Sequence, residues 1–109
     1  MVVVMIEHVV VIDMFRASIR ALYGPRIERL VLYGSRARGN AGPDSGYDIA
    51  VFLNDLDDLW REGRRIADIE VAVLDHTGAI VQTLPFPAGS WHDQSSPLMT
   101  QIRQDGLEL

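Results

Sequence analysis

The sequence contains neither cysteine nor lysine, and only three histidines. The absence of cysteine excludes disulfides, thiolate metal ligands and cysteine nucleophiles, and it fits a reducing compartment. The histidines, His8, His76 and His92, are not at metal-ligand spacing, so a zinc site is not expected.

Long hydrophobic runs are also missing. The apolar residues 1–6 resume at 9–12 after Glu7 and His8, and this interrupted stretch is too short to span a bilayer. No positive charge precedes it and no small-residue cleavage site follows it, so a signal peptide is not expected. We therefore expect a cytoplasmic protein without a membrane partner.

Positive charge is scarce, since the formal net charge is -5 and all ten basic residues are arginine. An acidic domain repels the phosphate backbone, so strong nucleic-acid binding is not expected. The net charge does not exclude local phosphate binding by arginine, because a guanidinium can donate two hydrogen bonds to one phosphate. The chain, residues 1–109, has the length of a single domain, and its 48% hydrophobic content leaves open a face against a partner or a second copy in a homo-oligomer.

Helical and strand patterns alternate along the chain. Leu56, Leu59, Trp60 and Ile66 are predicted to face the core from one of the helices. The periodicity and turn signals predict helices over 12–22, 36–39 and 55–67, strands over 27–33, 47–53, 68–74 and 79–84 (the last at a sheet edge), and a final helix that follows Ser96-Pro97 and closes at Gly106.

The first predicted strand ends at Gly34-Ser35, where a helix start directs free backbone amides toward an anion. Arg36 and Arg38 add positive charge, although two residues two apart on a helix point in different directions. The alternative is that Gly-Ser only ends the strand and that both arginines are solvated.

Asp48 lies in an otherwise apolar strand, where a carboxylate carries a desolvation cost unless a cation compensates it. A metal ion would compensate the charge. A salt bridge to Arg29, Arg36 or Arg38 would do so equally well.

These residues together resemble a known family. Gly34-Ser35, ten intervening residues and a strand with Asp48 are similar to the minimal nucleotidyltransferases of the DNA polymerase β superfamily, whose pattern is Gly-Ser, ten residues, Asp-x-Asp. The segments GSRARG, PDS and DIAVFL extend the match. The resemblance implies an α/β (α+β) fold with a mixed sheet of about four strands flanked by helices.

The resemblance also implies site residues. Asp48 would bind Mg²⁺ and take part in catalysis, with Glu70 as the third carboxylate that serves as general base and metal ligand. Asp68 is an alternative candidate for this third carboxylate. If the register of the strand places Ala72 at the position, no acid is present there. Glu70 could also be an acid on the protein surface without a role in the site. The residues that would hold the nucleotide, with ATP as the expected NTP, are Gly34, Ser35, Arg36, Arg38, Gly39 and Ser45.

The first carboxylate of the family pair is replaced by Gly46. Residues 46 and 48 of a strand share a face about 6.6 Å apart, so two carboxylates there could bracket two Mg²⁺ ions. Gly46 supplies no carboxylate for a metal ion. Asp44 could replace the missing carboxylate only if the backbone of the turn followed an unusual path.

Two functions follow from the resemblance. The first is transfer of a nucleoside monophosphate from ATP to a hydroxyl, including one on a partner toxin such as a HEPN-domain ribonuclease. The second is a catalytically inactive module of the same fold that acts as an antitoxin or as a nucleotide- or protein-binding domain, which Gly46 favours.

Overall fold

The computed structural model describes residues 2–109, with side chains from Glu7 onward, as four strands and four α-helices. The expected mixed α/β architecture is confirmed. In chain order the elements are α1 (Val2–Tyr23), β1 (Ile27–Tyr33), α2 (Ser35–Arg38), β2 (Tyr47–Leu53), α3 (Leu59–Thr77), β3 (Val81–Pro87), α4 (Pro97–Asp105) and β4 (Leu107–Glu108), with short 3-10 turns at Gly24–Arg26 and Ala88–His92.

The strand order in the sheet is β3-β2-β1-β4. β1 pairs antiparallel with both β2 and β4, whereas β3 runs parallel to β2 at the sheet edge. The strands over 27–33 and 47–53 and the final helix are therefore confirmed. The two-residue β4 was not predicted, because so short a strand leaves no periodicity to detect.

The two faces of the sheet bury different clusters. Residues 47, 49, 51 and 53 of β2 pack with Phe15 and Ile19 of α1 and with Ile66 and Val73 of α3. The alternate residues Ala50 and Phe52 pack with Met99 and Ile102 of α4. Asp48 shares this second face by strand alternation, so the sheet separates it from α1 and α3.

The region 55–77 corrects the prediction of a helix followed by a strand. A single helix, α3, continues through 68–74, because Ile66, Ile69 and Val73 recur at helical spacing and lie against the core. At the start of α3, the Asp58 carboxylate caps the helix by accepting a hydrogen bond from Arg61 N at 3.0 Å. Gly78, with φ of 76°, ends it.

The predicted inward face of this helix was also partly wrong. Ile66 is buried and Leu56 packs against the core, but Leu59 and Trp60 are 57% and 84% exposed. The side chain of Glu62 is buried on this face instead, because arginine side chains pair with its carboxylate.

Those partners form an ionic cluster at the start of α3. The fully buried Glu62 carboxylate lies 3.2 Å from Arg26 Nη1 and 3.4 Å from Arg65 Nη1. Arg26 also donates to the carbonyl oxygens of Asn54 and Asp55, so the cluster ties the 3-10 turn before β1 to the residues that follow β2 and to α3. Burial and the nearby Glu62 charge raise the pKa of Tyr23 to about 12.

Within residues 2–109, no helix is both long enough and apolar enough to cross a membrane.

Candidate functional site

The Gly34 turn and Asp48 meet at one end of the sheet. Gly34 follows the last residue of β1, has φ of 76°, and accepts hydrogen bonds from Ala37 N and Arg38 N at 3.1 and 3.0 Å. A Cβ atom on residue 34 would lie 2.6 Å from Asp48 Oδ2. Only glycine therefore allows both this backbone conformation and the position of the carboxylate.

Asp48 pairs with Tyr33 across the β1–β2 ladder. Burial raises the pKa of the Asp48 carboxyl, and the charge of Arg38 lowers it in part. Burial, and then the Asp48 charge, raises the pKa of Tyr33. Asp48 is thus a half-buried carboxylate placed where folding disfavours its charge, which is typical of a functional group.

Arg38 lies at the end of α2 on the same side of the sheet as Asp48. Its guanidinium Nη1 is 3.3 Å from Asp105 Oδ2 of α4, while its charge still acts on Asp48. The sequence did not identify Asp105, since the residues are 67 positions apart and no motif joins them.

Arg36 points away from Asp48 and holds the loop between α2 and β2. It donates to the Ser45 carbonyl oxygen from Nη2 at 2.7 Å and from Nε at 3.2 Å. Its guanidinium also lies over the Tyr47 ring, 4.4 Å from the ring centre. Tyr47 belongs to the cluster on the face of the sheet covered by α1 and α3, so Arg36 and Asp48 lie on opposite faces.

The remaining loop residues shape the turn. Gly39 has φ of 79° and ends α2, and the Ser35 carbonyl accepts a hydrogen bond from Asn40 N. Ser45 Oγ accepts one from Gly42 N at 3.0 Å. Gly34, Ser35, Arg38 and Gly39 of the predicted nucleotide-binding residues therefore lie together along the turn and α2. Arg36 and Ser45 instead line a cavity between α1 and the loop before β2.

Gly46 lies just before β2. Its backbone is not left-handed, but a Cβ atom there would be 3.2 Å from the Ile80 carbonyl oxygen, which already accepts a hydrogen bond from Tyr47 N at 2.8 Å. An aspartate at this position would require the start of β3 to shift by a few tenths of an ångström.

Glu70 is not placed beside Asp48. The predicted strand that carried it is part of α3, on the opposite face of the sheet, and its Oε2 accepts a hydrogen bond from Thr83 N at 2.7 Å. Asp68 is exposed on the same helix, which also contains Ala72. The strand next to β2 is β3, where Gln82 pairs with Asp48 and supplies no carboxylate.

The Glu70 contact has a structural consequence at the sheet edge. Because the Ile80 carbonyl faces β2, residues 81, 83, 85 and 87 direct their backbone groups outward. Pro85 and Pro87 have no backbone N–H to donate, and the N–H of Thr83 already donates to the Glu70 carboxylate. This edge is thereby protected against pairing with another strand.

The residues present do not fit a two-metal site. Gly46 has no side chain, and the residue paired with Asp48 on β3 is Gln82. Asp44 lines a cavity between the loop and α1. Over the part of the chain with described side chains, no three histidine or acidic residues form a group that could hold a metal ion.

That cavity has a volume of about 570 Å³ and lies between α1, the loop before β2 and the α3–β3 turn. Its walls include Val10, Arg36, Asp44, Tyr47, His76 and Ile80. It does not include Asp48, so it is separate from the Gly34–Asp48 contact.

Solved structures share this fold. A toxin–antitoxin structure with AMP-PNP has 21% identity and a TM-score of 0.57, over 89% of this chain and 67% of that one. The toxin–antitoxin MntA-HpeT with two Asp-to-Glu substitutions has 17% identity and a TM-score of 0.58, over 94% and 70%. A second MntA-HpeT mutant has 22% identity and a TM-score of 0.55, over 90% and 67%.

No curated protein matches the sequence significantly. The family model described as polymerase beta, nucleotidyltransferase, matches residues 19–85, which include β1, the Gly34 turn, Asp48 and α3. The chain therefore belongs to the polymerase β nucleotidyltransferase family.

Proposed function

We propose that the chain is an antitoxin-type binding module that keeps the nucleotidyltransferase fold without two-metal transfer of a nucleoside monophosphate. The observation that carries this proposal is the replacement of the first motif carboxylate by Gly46, while the neighbouring strand offers Gln82 beside Asp48.

Metal chemistry explains why this replacement matters. Two ions about 3.5 to 4 Å apart need carboxylates that bracket both of them. Asp48 alone cannot bracket a pair, and losing even an outer partner of a metal ligand typically costs about 10- to 100-fold in affinity or activity. With Glu70 bonded to Thr83 N on the other face, the chain has no evident replacement among its described side chains.

A toxin is the partner we propose. The structures of similar fold are toxin–antitoxin structures, and this chain covers 67 to 70% of the three neighbouring chains. The resemblance of the Gly34-Ser35 motif to minimal nucleotidyltransferases suggests that the toxin is a HEPN-domain ribonuclease. Binding would then neutralise the toxin by covering its surface.

The test is coexpression with a candidate HEPN-domain toxin. We expect the chain and its Asp48→Asn variant to restore growth equally, and we expect no radiolabel on the toxin after incubation with ATP labelled at the α-phosphate and Mg²⁺. Rescue that needs Asp48 and coincides with label on the toxin would reject a binding-only role.

A second function is supported by the Gly34–Asp48 contact, because it keeps the Gly-Ser turn and one carboxylate together. In this alternative the chain, with Mg²⁺, transfers a nucleoside monophosphate from ATP to a hydroxyl on the toxin and releases pyrophosphate. Ser35 and the Gly34 turn would hold the phosphates, and Asp48 would bind the metal. Asp48→Ala should then abolish label transfer while leaving toxin binding intact.

A further inference from the structure

The cavity between α1, the loop before β2 and the α3–β3 turn lies apart from the Gly34–Asp48 contact. Its volume of about 570 Å³ falls within the range of roughly 300 to 1,000 Å³ that small-molecule pockets occupy. Tyr47 of β2 lines it, on the face of the sheet opposite Asp48. A ligand bound in the cavity would therefore not contact Asp48.

Arg36 supplies a fixed positive charge in the cavity wall. Its Nε–H and one N–H on Nη2 donate to the Ser45 carbonyl oxygen, and its guanidinium lies over the Tyr47 ring, so the planar group is held in place. Arg36 forms no ion pair with the described side chains. The other N–H groups of the guanidinium are therefore available to an anionic group of a ligand.

Two carboxylates line the same cavity. Glu7 belongs to α1 and Asp44 to the loop before β2. Neither forms an ion pair with Arg36 or with another described side chain. Both residues are exposed, so a ligand that enters from solvent reaches them directly.

The opposite charges act on one point of the cavity wall, the Tyr47 hydroxyl. Burial raises the pKa of this hydroxyl, the Arg36 charge lowers it, and the Glu7 charge raises it. The guanidinium and the Glu7 carboxylate therefore influence the same group without neutralising each other in an ion pair.

This arrangement selects the charge of the ligand. A simple anion would be attracted by Arg36 and repelled by Glu7 and Asp44, and a simple cation would experience the reverse. A ligand with one negative and one positive group pairs with both kinds of wall residue. The two carboxylates thus favour a zwitterion over an anion such as phosphate.

The remaining wall of the cavity is aliphatic. Val10, Val11, Ala79 and Ile80 line it beside the charged residues. Val10 and Ile80 are exposed by 50% and 57%, so their apolar surface is open to a ligand. An aliphatic group that covers this surface would remove it from water, which favours binding.

We propose that this cavity binds a small zwitterion with an aliphatic side chain, either a free α-amino acid or a short peptide with free termini. The ligand carboxylate accepts hydrogen bonds from Arg36, and the ligand ammonium donates to Glu7 and Asp44. The inference goes beyond the proposed function, because neither toxin binding nor nucleotide transfer calls for such a ligand.

The probes are L-leucine and the dipeptide leucyl-leucine, titrated at pH 7 into ¹⁵N-labelled protein and followed by two-dimensional NMR. The backbone amide signals of Tyr47, Gly78 and Ile80 should shift in a saturable manner with at least one of the two probes, because these residues line the cavity. The probe that binds more tightly identifies the spacing of charges that the cavity fits.

Two derivatives of the tighter-binding probe each lack one charge. The C-terminal amide has no carboxylate for Arg36, and the N-acetyl form has no ammonium for Glu7 and Asp44. Each derivative should bind at least about tenfold more weakly than the zwitterion, because one kind of charged wall residue is left without a partner.

A double variant of the protein tests the carboxylates. Glu7→Gln/Asp44→Asn should weaken binding of the zwitterion at least about tenfold and remove its preference over the N-acetyl form. Asp57→Asn/Asp68→Asn makes the same change in net charge at exposed acids outside the cavity wall, and it should leave every affinity unchanged. All four positions are exposed, so the same NMR spectra verify that the variants fold.

Equal affinity for the zwitterion and its two derivatives would overturn the proposal, as would the absence of a saturable shift with either probe up to about 20 mM. Tighter binding of the N-acetyl form would overturn it in favour of a simple anion site at Arg36. Shifts confined to the residues around Gly34 and Asp48 would place the ligand outside the cavity and would also overturn it. A preference for the zwitterion that survives Glu7→Gln/Asp44→Asn would do the same.

Discussion

Gly34 and Asp48 are in direct contact, so closely that a Cβ atom on residue 34 would lie 2.6 Å from Asp48 Oδ2. The phosphate-type turn and the strand carboxylate are therefore one structural unit. Folding the turn fixes the carboxylate, and the carboxylate restricts position 34 to glycine.

The contact predicts the effect of alanine at position 34. Gly34→Ala should lower the free energy of unfolding by about 1 to 3 kcal/mol from backbone strain, with an additional loss from the clash with Asp48. Gly39→Ala is the matched control, since Gly39 has φ of 79° but no atom within 4 Å of its added Cβ. Urea denaturation measures both.

The double variant Gly34→Ala/Asp48→Ala separates the two contributions. It should recover the part of the loss that comes from the clash, but not the part due to backbone strain. A Gly34→Ala cost no larger than that of Gly39→Ala would contradict the contact.

Asp48 should make stability depend on pH. Its folded pKa is raised above the usual 3.8, so its contribution is fully present below pH 3.8 and is lost as pH rises through the raised value. Asp48→Asn should therefore raise the thermal midpoint at pH 7, with a gain that disappears below pH 4.

Asp93 provides a control of opposite sign. Hydrogen bonds from Ser95 lower the pKa of its carboxyl, so its contribution is present above pH 3.8 and is lost as pH falls through the lowered value. Asp93→Asn should lower the midpoint at pH 7. Equal effects of the two variants would contradict the assignment of Asp48.

The sequence located β1, β2 and the Gly34 turn because each has a strong local signal. Apolar runs are bounded by glycine, and Asp48 interrupts one of them. Asp105 and Gln82 could not be assigned in the same way. Their positions beside Arg38 and Asp48 depend on the packing of α4 and on the parallel register of β3.

The error at 68–74 has a physical cause. Alternate residues there fit a strand, and Ile69, Val71 and Val73 are β-branched. The helical spacing of Ile66, Ile69 and Val73 prevails because it buries them on α1 and the sheet. Tertiary packing overrode local propensity, and Glu70 moved to the opposite face.

Glu70 should have a structural effect rather than a catalytic one. Glu70→Ala removes the acceptor of Thr83 N and should lower the free energy of unfolding by about 1.5 to 3 kcal/mol. ATP affinity, measured by calorimetry, should stay unchanged. A loss of Mg²⁺-dependent ATP binding without a loss of stability would restore Glu70 as a metal ligand.

The buried ion cluster should be essential for folding. Glu62→Ala leaves Arg26 and Arg65 without their carboxylate and should cost about 3 to 5 kcal/mol in urea denaturation. Asp68→Ala, at an exposed acid of the same helix, should change stability by less than about 0.5 kcal/mol. Similar costs would mean that the cluster contributes little.

The most direct test of the central claim, that Gly46 removes the two-metal site, is calorimetric titration of ATP into the protein with Mg²⁺ and again with EDTA. We expect no increase in ATP affinity on addition of Mg²⁺. An affinity that rises tenfold or more with Mg²⁺, and falls in EDTA and in Asp48→Asn, would contradict the claim and support a working transferase.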